Sequence, residues 1–530
     1  LFLGGWRRWA GAATVLWLAF ALRVPLLDGP RFHPDEALFA SFARSIAVWR
    51  DPLLAAAPVD KPPLLFYLQA LCYPFLGPRE MAARLPNLFA SLLTVALTFA
   101  AARSLFPVIY SAPRRNLNRA TPLLAALLIA LSPLAIAFGP TAFTDSLMVM
   151  WGMAAVLAAA GGRAAWAGLW LGLGLATKYQ AILFLPLVVG ILTLLPGRGD
   201  RRGWTRPVAG LLLSAAGVAA WDLARSGRVS LLAAQMTAYG GVQSIHPDQL
   251  WPRWIEWANL GKYVFGSPWV NLLLLSAGLV WPFWLLTHRA SIRPSIPGIL
   301  LFGWLLAFFA LNWWLTINIW DRYLLPAVPV AALLAGWWTS RAAGLPRTLW
   351  RRYLLPTVQS SKRLVEARRQ WRRLSFVSIS YCILPVVLLA ALLPAGSSAA
   401  IGALPLGGDH GTHDGIEQVA DFFADHPYGT VLYDHWLGWE LRYYLFDSRV
   451  YVSWFASPAT LTTDLRAFGS TSPRYLVIPS WESSLPAIEA VGAAGYDLDS
   501  VFRAHRPDET LSFTVYRIRK VLVQRQLGLL

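Results

Sequence analysis

Long apolar runs separated by short polar gaps dominate this chain, and the runs are too continuous for the core of a soluble domain. They recur near residues 9–27, 81–102, 120–138, 143–160, 164–178, 180–196, 208–224, 268–287, 298–316, 324–340 and 375–395. Read as helices, they predict about eleven membrane spans, roughly 10–13, because short Trp- and Pro-rich pieces can re-enter instead of crossing. Arg7 and Arg8 precede the first run, which lacks a small-residue cleavage site, so a retained first helix is expected there in place of a signal peptide. Residues 28–80 are too broken by proline and charge to span. Two amphipathic helices are expected in this first outer loop. One begins at Pro34 with Leu38, Phe39, Phe42, Ile46 and Trp49 at helical spacing; the other begins at Pro62-Pro63 with Leu64, Leu65, Leu68, Leu71 and Phe75 on one side.

The pattern changes after about Pro394. Gly, Ser and Ala make a linker over 397–408, and 409–530 reads as a soluble α/β domain. Strands are expected at Thr430–Tyr433, Val450–Trp454, Tyr475–Pro479 and Leu511–Ile518, and helices at Ile416–Ala424, Pro458–Phe468 and Leu485–Ala494. The fold class is therefore a membrane all-α bundle over 1–396 with a C-terminal soluble α/β domain.

Composition sharpens this picture. The chain of 530 residues is 56% hydrophobic and only 14% charged, which no soluble core accommodates. Its net charge of +18 is nearly all arginine, with lysine only at positions 61, 178, 262, 362 and 520. The basic residues sit in gaps between spans, so nucleic acid is a poor explanation for them. Arg103, Arg114, Arg115 and Arg119, then Arg198, Arg201, Arg202 and Arg206, then Arg289 and Arg293, then ten Lys/Arg over 341–373 fall on one side with the N-terminus. The positive-inside rule makes that side cytoplasmic and puts the first loop and the C-terminal domain on the other. Cys72 and Cys382 are distant in sequence and predict no disulfide.

The polar residues worth explaining are those that an apolar chain keeps at a cost. Asp35 and Glu36 follow Pro34 at a helix start; Asp60 and Lys61 precede the diproline; Glu80 and Arg84 stand at i and i+4 at the top of the second span. Asp145 lies just inside a span, Lys178 ends one beside Tyr179, Arg322-Tyr323 opens another, and His246 with Arg253 lies in the long loop 225–266. Each has an ordinary alternative. Asp35 would serve as a cap and Asp145 as a helix-start acid, Lys61 and Lys178 as anchors that snorkel, and Arg322-Tyr323 as part of an aromatic belt. Glu80–Arg84 reads first as a structural pair. His410 and His413, in a Gly/Asp-rich stretch, are either solvated or metal-binding.

The order H-P-D-E-A-x-F-A-x-x-A-R, D-K-P-P-L-L-F-Y-L-Q-A-L and G-x-x-E-x-x-A-R-L-P over Phe32–Pro86 resembles the protein mannosyltransferase and aminoarabinose transferase superfamily. These are membrane glycosyltransferases of the type C fold. T-D-S at Thr144–Ser146, G-L-A-T-K at Gly174–Lys178 and D-R-Y-L-L-P at Asp321–Pro326 extend the resemblance over roughly residues 5–340. It implies inverting transfer of a sugar from a polyprenyl phosphate to an acceptor hydroxyl of a protein, lipid or envelope glycan, on the non-cytoplasmic face of the plasma membrane. By resemblance Asp35 is the catalytic acid, with Glu36 beside it. Lys61, Arg322, Tyr323, Lys178 and Arg253 are donor-phosphate candidates, and Asp145, Glu80 and Arg84 complete the set. Some members hold a divalent metal between a first-loop acid and a loop histidine; Asp60, where many members have Glu, and His246 are the corresponding residues, an incomplete ligand set by themselves. The competing readings are a transporter or flippase of lipid-linked sugars, and a non-catalytic anchor for the outer domain. A transporter concentrates charge and broken helices at mid-membrane in both halves, whereas here the polar residues gather at helix ends.

Overall fold

The computed structural model describes residues 3–107, 120–195, 205–225, 230–239, 243–275, 296–342 and 376–521. Most of the basic gaps that set the expected topology lie outside these residues, as does the later part of the span expected near 268–287. The chain divides into two compact units: Leu1–Asp28 with Trp49–Gly407, and Gly29–Val48 with Gly408–Leu530.

The first unit is helical. Trp9–Leu26, Glu80–Leu105, Thr205–Ala224 and Ile296–Trp314 are long and apolar enough to cross a membrane, and shorter apolar helices accompany them. The chain is thus an integral membrane protein. Several expected spans are interrupted for local reasons. The stretch near 120–138 becomes Thr121–Ala130 and Pro133–Ala137, because the Ser132 hydroxyl accepts the Ala135 N–H and caps a new helix whose first residue is proline. The stretch 164–178 stops at Leu175, and 180–196 opens as a 3-10 turn, Tyr179–Phe184, before the helix Leu185–Leu194. The helix Phe376–Ala400 carries Pro385 and Pro394 internally and runs into the expected linker.

Small residues let these helices approach. A Cβ on Gly168 would stand 1.9 Å from the Pro207 carbonyl oxygen, and one on Gly172 would stand 2.5 Å from the Ser214 side chain. Gly168 and Gly172 therefore form the close face of Ala164–Leu175 against Thr205–Ala224, a small-xxx-small contact of the kind that replaces hydrophobic driving force in lipid. The first-loop helix Leu64–Ala70 is shorter than its apolar pattern predicts. Leu65 and Phe66 are buried, whereas Leu71 and the following Phe75 are exposed, so its outward side is apolar.

The second unit is built on a five-stranded sheet of order β2-β1-β3-β5-β4: β1 Val431–Asp434, β2 Tyr451–Trp454, β3 Arg474–Pro479, β4 Tyr496–His505 and β5 Leu511–Lys520. β1 is parallel to β2 and β3; β5 is antiparallel to β3 and β4. One face packs Leu432, Tyr475, Val477 and Phe513 against the helices Ile416–Phe423 and Gly438–Tyr444. The other packs Tyr433, Leu476, Ile478 and Ile518 against Pro458–Phe468 and Leu485–Ala493. The helix Pro34–Ala47 also belongs to this unit and packs against Gly438–Tyr444. The amphipathic helix expected there is present, but Phe39, Phe42 and Ile46 are buried in protein instead of facing outward.

Candidate functional site

In the first unit the candidates for the donor phosphate gather at helix ends. Lys61 is held in the Asp60–Pro63 turn, its Nζ 2.5 Å from Asp60 Oδ2. That turn is fixed to the Gly174–Lys178 segment, because the Leu64 N–H donates to the Ala176 carbonyl at 3.2 Å. Lys178 is buried; its Nζ donates to Asp145 Oδ1 at 2.7 Å and lies 4.6 Å from the centre of the Tyr323 ring. The Arg322 guanidinium stands over Phe143 at 4.7 Å and over Trp320 at 4.3 Å. The charges of Asp145, Arg322 and Lys61 all act on the Lys178 ammonium. Four motifs spread over 262 positions thus place Lys61, Asp145, Lys178, Arg322 and Tyr323 in one electrostatic neighbourhood.

The loop that presents Asp145 is fixed from behind. Asn87 Nδ2 donates to the Thr141 carbonyl at 2.7 Å and also to the Phe143 carbonyl, and Gln69 Nε2 donates to the Ala142 carbonyl at 3.4 Å. The Ser146 hydroxyl donates to the Phe138 carbonyl at 2.7 Å. Asn87 escaped the sequence reading because an amide in a membrane helix gives no motif, and Gln69, inside a quoted motif, was given no role there. Their signal was polarity inside an apolar run. Arg23 is a further case: fully buried, it donates to Ser91 Oγ at 2.8 Å and to the Ala130 carbonyl at 3.1 Å, where Thr121–Ala130 ends.

Other candidates stand elsewhere. Glu80 lies in the first turn of Glu80–Leu105, and the buried Arg84 donates to the Leu27 carbonyl at 3.4 Å. Arg253 donates through Nη2 to the carbonyls of Asn312, Leu315 and Ile317 at 2.9, 2.8 and 2.7 Å, and through Nε to that of Trp313 at 3.2 Å. It closes the C-terminus of Ile296–Trp314, whose last carbonyls have no partner within the helix. His246 is exposed, with Nδ1 2.7 Å from Asp248 Oδ1. With Asp60 engaged by Lys61, the pair Asp60 and His246 does not make a metal-ligand set as arranged. Among the described residues no group of three or more His, Cys, Asp or Glu is arranged to hold a metal ion.

In the second unit Asp35 and Glu36 occupy the first turn of Pro34–Ala47. His33 is the N-cap. Its Nδ1 accepts the Asp35 N–H at 3.2 Å, and Glu36 Oε2 accepts the His33 N–H at 3.2 Å. This capping box commits the buried Glu36 carboxylate to the backbone and leaves Asp35 as the half-buried acid of the pair. The two adjacent acids thus differ in surroundings: Glu36 is buried and closes the capping box, whereas Asp35 is half-buried beside it.

The same unit buries a second ionisable group of residues. His413 has Nδ1 against Asp409 Oδ1 and Nε2 3.4 Å from Glu440 Oε1. His413 is thus engaged by Asp409 and faces Glu440, and this group is not arranged to hold a metal ion. Burial pushes the Glu440 carboxyl up to about 7 and the Asp434 carboxyl up to about 6. Burial works against protonated His413, but the hydrogen bond and charge of Asp409, with Glu440 and Asp414, outweigh it and hold the imidazole above its ordinary value.

Comparison with known proteins places this geometry. Residues 60–221 match the model of the dolichyl-phosphate-mannose-protein mannosyltransferase family. No curated protein sequence matches the chain. Among solved structures, ArnT from Cupriavidus metallidurans bound to undecaprenyl phosphate matches with a TM-score of 0.60 and 15% identity, over 96% of this chain and 98% of that one. AglB, the oligosaccharyltransferase of Archaeoglobus fulgidus, in complex with an inhibitory peptide and a dolichol-phosphate, matches with a TM-score of 0.52 and 12% identity, over 97% and 74%. The same archaeal enzyme in complex with Zn and sulfate gives a TM-score of 0.50 and 12% identity, over 95% and 72%. The resemblance carried by the motifs is borne out: the fold is that of the type C membrane glycosyltransferases. The segment matched in sequence contains Asp60, Lys61, Glu80, Arg84, Asp145 and Lys178.

Proposed function

We propose that this chain is an inverting glycosyltransferase that moves a sugar from a polyprenyl-phosphate donor to an acceptor hydroxyl on the non-cytoplasmic face of the membrane. The observation that carries this reading is the gathering of Lys61, Lys178, Arg322 and Tyr323 around Asp145, within a fold shared with proteins crystallised with lipid phosphates. A phosphodiester headgroup brings a negative charge to such a site, and the charge grows when the donor departs as a phosphate monoester. Cations that strengthen their hold as that charge develops lower the barrier instead of merely binding substrate. Lys61 and Arg322 fill this role, and Lys178, pinned by Asp145, sets the field around them.

Asp35 is the general base. Its carboxylate accepts the proton of the acceptor hydroxyl while the oxygen attacks the anomeric carbon. The bond from that carbon to the phosphate oxygen breaks, its electron pair leaves with the polyprenyl phosphate, and configuration inverts. Glu36 holds the helix start and does not take part. No step is routed through a metal. The acceptor is a protein, lipid or glycan hydroxyl, and the charge asymmetry of the loops supports a cytoplasmic N-terminus.

The experiment is transfer from a radiolabelled polyprenyl-phosphate sugar by the purified full chain, with the wild type beside Asp35→Asn. Loss of transfer in Asp35→Asn, with donor binding kept, is the expected result. Equal transfer by both removes Asp35 from the mechanism, and movement of donor across vesicles without any transfer favours the flippase.

A further inference from the structure

The helix Pro34–Ala47 is anchored at both ends, and the second anchor has no role in the chemistry above. At its start the Phe32 N–H donates to the Tyr444 hydroxyl at 3.3 Å, the Phe32 ring meets Tyr443 edge-on at 4.8 Å, and Arg31 Nε lies 3.1 Å from Glu417 Oε2. In its last turn Arg44, only 7% exposed, donates through Nη1 to the Tyr443 carbonyl at 2.7 Å and through Nη2 to Asp447 Oδ2 at 2.7 Å. Its guanidinium lies 4.3 Å from the centre of the Phe446 ring. The Tyr443 carbonyl belongs to the last turn of Gly438–Tyr444 and also accepts the Phe446 N–H at 3.3 Å.

We infer that Arg44 is a positioning residue for the proposed transfer, fixing the tilt and rotation of the helix that carries Asp35 by locking its last turn to Tyr443 and Asp447. An apolar side chain would fill the same space over Phe446, but only a planar donor fork sets direction as well as depth. Arg44 lies nine residues from Asp35, about 13 Å along the helix at ~1.5 Å per residue, too far to touch the reacting atoms. The same length makes it a lever. A tilt of about 5° over that distance moves the Asp35 end by about 1 Å, and a misplacement of ~1 Å can cost ~100-fold in rate.

The inference rests on Asp35 being the base. The test compares Arg44→Met, Arg44→Lys and Asp447→Ala in the purified full chain, measuring kcat, donor KM and thermal unfolding. A fall of about 10–100-fold in kcat per folded molecule is expected for Arg44→Met, less for Arg44→Lys and Asp447→Ala, with donor KM unchanged. If activity falls only in step with the amount of folded protein, Arg44 is structural and the inference fails. If all three variants keep the wild-type kcat while Asp35→Asn is inactive, positioning is refuted and the proposed function stands. Full activity in Asp35→Asn removes both.

Discussion

Glu440→Gln tests whether the buried Asp409–His413–Glu440 group makes the second unit sensitive to pH. Glu440 is fully buried and its carboxyl titrates at about 7, against 4.5 for the ordinary group. The folded unit therefore binds more protons than the unfolded chain between those values, and its stability falls as pH rises through them. Asp434, raised to about 6, acts in the same direction. His413, held above its ordinary value, adds stability that is complete below about pH 6.5 and is lost as pH rises through its folded value. The Glu440 shift corresponds to at most about 3 kcal/mol, at ~1.36 kcal/mol per pH unit. Hydrogen exchange of β1 and β3 amides in the full chain, corrected for intrinsic rates, reads this directly. Wild-type protection should fall by up to about two orders of magnitude between pH 5 and pH 7.5, and Glu440→Gln should flatten most of that fall. Equal slopes in the two proteins, or a wild type better protected at pH 7.5, would refute the reasoning.

Lys61→Ala should raise the donor concentration needed for half-maximal transfer, because a contact to the donor phosphate is lost; an unchanged donor dependence would show that Lys61 only anchors its turn. Asp145→Asn should cost about 3–5 kcal/mol by stranding the buried Lys178 ammonium, whereas Asp145→Asn with Lys178→Met should recover part of it. Thermal unfolding in detergent decides this, and additive losses would deny that the two residues act as a pair.

The cluster of candidate residues was legible because charge is rare in the apolar runs of this chain. With five lysines and long apolar runs, Lys61, Lys178, Asp145 and Arg322 stand out as residues that sequence pattern alone leaves unexplained, and the structure brings them together. The helix around Asp35 was legible from Pro34 and its acids, but the division of labour between Asp35 and Glu36 was not, since it depends on His33 turning its ring to the Asp35 N–H. The partners of Arg253 were not legible, because carbonyls at a helix end leave no mark in sequence. β4 was missed for a different reason. It is an edge strand with a mostly exposed, charged alternation, which is how edges avoid pairing with other chains and also how they escape pattern reading. The partners of Arg44 were beyond any local reading, because Asp447 is 403 residues away.

That separation bears on how the protein is made. The helix Pro34–Ala47 leaves the ribosome about 20–80 s before the segment that receives it, at translation rates of ~5–20 residues per second. Until then Phe39 and Phe42 lack the C-terminal part of their unit, and the nascent chain must be shielded by lipid or by a chaperone. If Asp35 is the base as proposed, a chain that stops before Gly408 carries Asp35 on a helix without the rest of its unit, and such a product is expected to be inactive.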